Sequence, residues 1–336
     1  MTSEQRGLCE VGAGVFAYLQ VGGWGYSNAG LVTSAGSSLL VDTLYDLKLT
    51  RVMLDEMQRR TPAQRIDSVV NTHANGDHCW GNQLVGSAKI ISSRAAAEEM
   101  LELSPRLMHT MVQAARAIVR LGPLAKLPLS LLGRLRVPRV RALAEAAPFI
   151  VEIFGGFDFG AISLRAPDTT FEDRLVLQVG DKQVHLIEVG PAHTKGDVIV
   201  YVPEDRVVFT GDILFMGSHP IVWAGPIDNW IRACDLILEL EVDRVVPGHG
   251  PLTDKQGVKS TRDYWQRLQQ VAEQASAAGA SEQHILRELE GQQSWREAER
   301  LVANVEVALR ELANVRTPRD PVDVMASMAR YAGRGA

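Results

Sequence analysis

The amino-acid sequence predicts an α+β protein in which stacked β-sheets are covered by helices and the chemistry sits on loops at one sheet edge. Three observations carry that expectation. Short apolar runs rich in β-branched residues alternate with longer segments of helical periodicity. The polar clusters follow immediately after expected strands, and each adjoins a glycine, which lets the backbone turn sharply at a strand end. Loops on the rim of a rigid sheet are where functional side chains gather.

Taken in order, the stretch from Val11 to Asp42 contains the runs VFAYLQV, AGLVTS and SSLLVDT broken by glycine, the pattern of antiparallel hairpins. From Leu44 to Arg60 the apolar residues Leu47, Val52, Met53 and Met57 recur at helical spacing, and Ile66 to Val70 is a β-branched strand ending at Asn71-Thr72. Residues from about 94 to 166 change character, with long helical patterns and prolines at Pro123, Pro128, Pro138 and Pro148, and are expected to form an inserted helical cap. RLVLQVG, KQVHLIEVG, DVIVYV and DRVVFTG then give four strands, Asp228 to Leu240 a helix, and DRVVPGHG a final strand with its loop. From Lys259 onward the chain is almost wholly helical, with capping starts expected at Ser281 and Ser294. The organisation expected is one domain over residues 1–260 that carries the cap, then a helical C-terminal extension over 261–336. That extension either mediates self-association into a homo-oligomer or packs on its own sheet.

Composition narrows the function. The 336 residues are 46% hydrophobic and 22% charged, enough for a large core and incompatible with a disordered chain. Lys plus Arg number 35 against 40 Asp plus Glu, a formal net charge of -5, so there is no global basic excess for nucleic acid and no such partner is expected. Cys9, Cys79 and Cys234 are odd in number and lack CxxC spacing, which argues against a disulfide framework and for a reducing, cytoplasmic setting. No apolar run reaches the roughly 18 to 20 residues of a membrane span, and the N-terminus lacks a signal-like apolar stretch, so no transmembrane segment is expected.

The densest cluster follows the strand ending at Val70 and supplies His73, Asn75, Asp77 and His78, with Gly76 between them. Three further candidates stand after later strands: His193 in GPAHTKGD, Asp212 in FTGDILF and His249 in VPGHGP. Imidazole nitrogens and carboxylate oxygens are the usual ligands of catalytic zinc. Any one of these residues alone reads more readily as an ordinary loop histidine or turn aspartate than as a ligand. Four of the eight histidines and two aspartates in the same strand-end context read together as one metal site. His109, His185, His219 and His284 lie on apolar or helical stretches and read as satisfied side chains, with His219 close enough to the Asp212 loop to serve a pocket.

In this order and at these intervals, His73 to His78, His193, Asp212 and His249 resemble the signature motifs of the metallo-β-lactamase-fold hydrolase superfamily, over roughly residues 10 to 260. The resemblance implies a four-layer αβ/βα sandwich with one or two zinc ions at the edge between two sheets. It implies that His73 and His193 hold the first metal, that Asp77, His78 and His249 hold the second, and that Asp212 bridges them. One position departs from the motif His-x-His-x-Asp-His, because Asn75 stands where the second histidine belongs. A carboxamide oxygen is a poorer zinc ligand than an imidazole. A weakened first site, a single metal on Asp77, His78 and His249, and an Asn75 hydrogen bond to a metal-bound water all remain open. Asp212 favours glyoxalase-II-like thioesterases and lactonases over true β-lactamases, and the motifs are similar to those of a group that includes polyketide thioesterase/cyclases.

The expected chemistry is hydrolysis of a thioester, lactone or ester carbonyl by metal-bound hydroxide, with Asp77 and Asp212 as catalytic carboxylates and Asp77 orienting the nucleophile and taking its proton. A lactonase or broad esterase is the alternative within enzymes; a catalytically silent, metal-binding scaffold with a basic docking cap is the alternative outside them. Thr72, Thr194 and Asp197 either fix imidazole tautomers or simply form turns. Trp80, Phe215, His219 and Trp223 are candidates for the wall of a substrate pocket, whereas Trp230 and Cys79 read as packing residues. In the cap, Arg106, Arg116, Arg120, Lys126, Arg134, Arg136, Arg139 and Arg141 occur with no Asp or Glu among them. That segment is a solvated face, a dock for acyl carrier protein or coenzyme A bearing the acyl substrate, or a membrane-surface patch.

Overall fold

The N-terminal runs form a meander because their side chains alternate across a buried sheet and their turns contain residues that tolerate positive φ. The computed structural model describes residues 6–62, 65–122, 138–291, 294–315, 317 and 319–333. Strands β1 (Gly7–Gly12), β2 (Val15–Leu19), β3 (Ala29–Ser34) and β4 (Ser37–Val41) pair antiparallel in sequence. Ala35 and Gly36, at φ 44 and 81, close the last hairpin in the left-handed conformation that matches strand twist. Helix α1 (Leu47–Arg60) begins at Asp46, whose side chain accepts from the Leu49 amide at 2.8 Å, and ends with Arg59 and Arg60 at the negative end of its dipole. It leads to β5 (Ser68–Val70), the four-residue helix α2 (Gly76–Cys79), β6 (Lys89–Ser93) and, beyond the cap, β7 (Thr169–Phe171). These three strands extend the sheet in parallel, giving the seven-stranded order β1 to β7. β6 and β7 were not anticipated: three to five residues are too few to show a period.

The cap lies between β6 and β7 and consists of α3 (Arg94–Glu99), α4 (Pro105–Leu121) and α5 (Pro138–Phe154). Ser104 caps α4 and Pro105 opens it, and the helix buries Met108, Val112 and Ala115, one face at helical spacing, against Ala146 and Ile150 of α5. Arg116 donates to the Gly155 carbonyl at 2.6 Å and Arg141 pairs with Glu145 at 2.9 Å, while Arg106 and Arg120 are exposed. Lys126, Arg134, Arg136 and the Arg139 side chain lie outside the described residues.

The second sheet comprises β8 (Arg174–Val179), β9 (Lys182–Glu188), β10 (Val198–Val202), β11 (Val207–Phe209) and β12 (Arg244–Val246), with the last two parallel. Val32, Val41 and Val70 of the first sheet meet Val184, Val200 and Phe209 of the second in one buried layer. Met53 and Met57 of α1 cover the outside of the first sheet. Helices α6 (Ile227–Glu239) and α7 (Lys255–Ala277), with Trp230 and Trp265 at their contact, cover the second. The result is the expected four-layer α+β sandwich with a helical insertion and a helical C-terminal extension.

That extension continues as α8 (Glu282–Leu289), α9 (Arg300–Leu312) and α10 (Pro321–Ala332), and α7 runs unbroken through position 260. Ser281 stands at the start of α8 without a side-chain capping bond. The start expected at Ser294 is not used: the Arg296 backbone exchanges hydrogen bonds with Gly217 and His219, a bridge that delays the helix to Arg300. Among the described residues no helix is long and apolar enough to cross a membrane. All three cysteines are buried and free.

Candidate metal centre

β4 and β5 end side by side in one sheet, and β11 and β12 end side by side in the other. Their C-terminal loops meet, which brings Asp42, His73, Asp212 and His249 to one edge. The turn before β10 adds His193, and α2 adds Asp77 and His78. α2 can turn tightly because position 76 has no side chain: a Cβ there would stand 2.4 Å from the Trp80 ring.

Asp212 is the hub. Its carboxylate lies 3.1 Å from His78 Nε2, 3.3 Å from both His193 Nε2 and His249 Nε2, and 3.7 Å from His73 Nε2. Asp77 lies 3.4 Å from His249 Nε2 and 4.0 Å from His78 Nε2. Every one of the four imidazoles has its other nitrogen engaged. His78 Nδ1 meets Asp42 Oδ2 at 2.9 Å, His193 Nδ1 meets the Ile221 carbonyl at 2.7 Å, and His249 Nδ1 meets the Tyr26 carbonyl at 3.0 Å. His73 Nδ1 meets Thr72 Oγ1 at 3.0 Å, and that hydroxyl donates in turn to Asp42 Oδ2 at 2.7 Å, leaving its lone pair for the imidazole. With Nδ1 engaged on the outside, each imidazole turns its Nε2 into the centre, where it can hold a proton or, once deprotonated, offer a lone pair to a cation.

The donor set fits a cation. His73 Nε2, His78 Nε2 and Asp212 Oδ1 are buried with no hydrogen-bond partner, a costly arrangement unless something electropositive satisfies them. Two groups bring their ligand atoms within 4.8 Å of one another: His73, His78 and Asp212, and Asp77, His78 and His249. His193 belongs to neither group, although its Nε2 lies 3.3 Å from Asp212, and Asn75 Nδ2 lies 2.9 Å from the same nitrogen. The Ile221 carbonyl can only accept, so His193 carries its proton at Nδ1, and the Asn75 amide donates to the remaining lone pair.

Charge is unevenly held across the site. Burial lifts the Asp212 carboxyl, but the surrounding imidazoles, His249 first, outweigh it and hold it well below the usual carboxylate range. Burial opposes charge on His249 and His78 as well. The neighbouring carboxylates overcome it, raising His249 to about 9 and His78 well above its ordinary value. Burial and the adjacent His78 depress His73. Asp77, lifted by burial and pulled down by His78 and His249, ends below its ordinary value and is an anion at neutral pH.

The other residues singled out in the sequence have definite places. Trp80 is buried and stacks on Tyr45 with ring centroids 5.3 Å apart, inside the cap core. Phe215 is buried and stacks on the His249 imidazole at 4.9 Å. His219 is buried between Tyr264 and Trp295. Trp223 is half-buried, and its amide donates to the His193 carbonyl at 3.0 Å. Asp197 accepts from the Ala192 and Thr194 amides and from the Thr194 hydroxyl, closing the turn that presents His193 without touching its ring. Asp42 was missed, although the run LLVDT offers the same strand-end signal as the other clusters.

A sequence model of the family described as the metallo-beta-lactamase superfamily matches residues 22–249, which include every residue of the centre. The acyl-coenzyme A thioesterase of Bos taurus is 28% identical over 89 residues, 25% of this chain and 31% of that protein. The alpha subunit of the 2,4-dinitroanisole O-demethylase of Nocardioides sp. (strain JS1661) is 28% identical over 117 residues, 34% of this chain and 36% of that one. The chain thus spans about a third of the length of these curated relatives. A solved sec-alkylsulfatase from Pseudomonas sp. superposes with a TM-score of 0.63 at 17% identity, covering 94% of this chain and 52% of that one, and so shares the fold.

Proposed function

The chain belongs to the metallo-beta-lactamase superfamily of hydrolases, and from that premise we propose that it is a zinc-dependent thioesterase. The observation that carries this reading is the set of imidazoles fixed at Nδ1, with the Nε2 atoms of His73 and His78 unpartnered among buried carboxylates. A zinc ion, when bound, lowers the pKa of a coordinated water and polarises a carbonyl. Asp77, His78 and His249 would hold it, with Asp212 behind them.

Each carboxylate has a distinct part. The Asp212 side chain is 3% exposed and the Asp77 side chain 13%, so Asp77 is the one that water and substrate reach. As an anion beside His249, its carboxylate orients a water and takes a proton from it. Asp212 holds the imidazoles in register. Asn75 occupies the lone pair that His193 would otherwise offer, which favours one zinc over two. A thioester is favoured by the likeness to the acyl-coenzyme A thioesterase. The exposed Arg106 and Arg120 of α4 offer charge to the phosphates of coenzyme A or of a carrier-bound acyl group.

The test is elemental analysis of protein purified without chelator, for wild type and Asn75→His, alongside hydrolysis of acyl-coenzyme A, lactone and simple ester substrates. We expect about one zinc per wild-type chain, a rise toward two in Asn75→His, and thioester hydrolysis that is lost on chelation and restored by zinc. Lactone or ester turnover in its place would replace the substrate class. Metal without hydrolysis would make the protein a binding scaffold, and no metal in either form would refute the proposal.

A further inference from the structure

Residues 215–226 contain no helix and only isolated bridges, yet they contact two of the four imidazoles. The Ile221 carbonyl accepts from His193 Nδ1 at 2.7 Å, and the Trp223 and Ala224 amides donate to the His193 carbonyl at 3.0 and 3.2 Å. Phe215, at the start of this segment, lies flat on the His249 ring, with an angle of 3° between the planes. A segment without its own ladder must be held from outside.

The holding groups lie on α9. Asn304, fully buried, donates to the Pro220 carbonyl at 2.8 Å and accepts from the Val222 amide at 3.0 Å, gripping the backbone on both sides of Ile221. Its second N–H donates to Tyr264 Oη at 2.8 Å, so both N–H groups and the oxygen are engaged and the orientation of the carboxamide is fixed. One turn earlier, on the same face, Arg300 donates to the His219 carbonyl at 2.8 Å and pairs with Glu297 at 2.9 Å. Its guanidinium carbon lies 4.3 Å from the Trp24 ring centre and 5.1 Å from that of Phe215. His249, Phe215, Arg300 and Trp24 thus form a continuous chain of ring and guanidinium contacts leading away from the centre. Arg300 is 2% exposed and its Nε has no partner, and taking it away would leave the Glu297 carboxylate and the His219 carbonyl without it in the interior.

We propose that α9 is the positioning element of the metal centre, with Asn304 orienting His193 through the Ile221 carbonyl and Arg300 orienting His249 through Phe215. The inference rests on reading the site as metal-binding. Neither residue touches the reacting atoms. A helix outside the residues that the family model matches, 22–249, would then set the geometry of two imidazoles inside it.

The experiment compares wild type, Arg300→Met, Arg300→Lys, Asn304→Leu and the control Leu309→Ala, a half-buried position of the same helix whose side chain packs into the helical layer. Zinc affinity is read by chelator competition, ligand geometry by the visible spectrum of the cobalt(II)-substituted protein, and imidazole protons by NMR of 15N-histidine-labelled protein. Both Arg300 variants should bind zinc at least about tenfold more weakly with an altered cobalt spectrum, since groups that orient ligands carry effects of that size. Arg300→Lys keeps the charge, so it covers the case in which Arg300→Met does not fold. Asn304→Leu should lose the exchange-protected His193 Nδ1 proton while the other imidazole signals stay in place. Leu309→Ala should lower thermal stability alone. Variants that lose stability like the control but keep wild-type affinity, spectrum and imidazole protons would overturn the inference with the metal site intact. A wild type that binds no divalent metal would overturn the functional proposal and this one together.

Discussion

Asp42 shows how a residue outside the ligand set governs it. Its φ of 62 is one that Asn also tolerates, and its oxygens accept from the Thr72 amide, the Thr72 hydroxyl and His78 Nδ1. All three partners need an acceptor. Asp42→Asn therefore keeps the backbone but turns an N–H toward one of them, and zinc affinity should fall about 10- to 100-fold with the far-UV circular dichroism unchanged. His219 makes a second residue-scale prediction. Burial, reinforced by the Arg300 cation, pushes its pKa down to about 4, against an ordinary value of 6.5. Between those values the unfolded chain binds a proton that the folded one refuses, so stability falls as pH drops from 6.5 toward 4. Urea melts of wild type and His219→Gln should show roughly 2 kcal/mol less stability at pH 5 than at pH 7 from this group, a difference absent in the variant.

At the scale of elements, the centre exists because strand ends approach closely, and glycine permits the approach. A Cβ on Gly248 would stand 2.0 Å from Asp212 Oδ1 and 2.6 Å from the Gly211 carbonyl carbon, where the loop after β12 passes the loop after β11. Gly248→Ala should cost about 1–3 kcal/mol as overpacking. Because the clash falls on the carboxylate hub, it should also empty the site, which thermal melts and zinc content would report separately. The same scale explains what the sequence disclosed. Strand ends followed by polar clusters are a local signal, and the structure brings His73, Asp77, His78, His193, Asp212 and His249 together at one edge. β6 and β7 carried too few residues for a period, and the start expected at Ser294 lost to a bridge formed with residues 217–219. Both are cases of pairing with distant chain deciding a short segment.

Across the whole molecule, the C-terminal helices belong to the body of the protein. Leu301, Val302, Val305 and Ala308 of α9 share one buried cluster with Trp230 and Trp265 of α6 and α7, and Ala326 of α10 is buried in the cap cluster. A chain ending at Gly291 would expose those faces. Three large aliphatic side chains at about 1.5–3 kcal/mol each approach the whole stability of a typical domain, so the truncated protein should be largely unfolded. Circular dichroism and limited proteolysis would show it, and a folded, metal-binding truncation would contradict the account.

The sequence by itself determined the order of the longer strands and helices, though not β1, β6 and β7, the residue types gathered at strand ends, and the departure at Asn75. Hydrophobic period and turn chemistry act over a few neighbouring residues, so they can be read in line. The tertiary structure alone decided which atom of each imidazole is held, that Asn75 faces His193 Nε2, that Asp42 stands behind His78, and that Arg300 and Asn304 reach the loop beside the centre. Those contacts join residues about 36 to 118 positions apart. Each depends on the direction of a hydrogen bond or the face of a ring, which is fixed only when the sheets and the helical layer have packed.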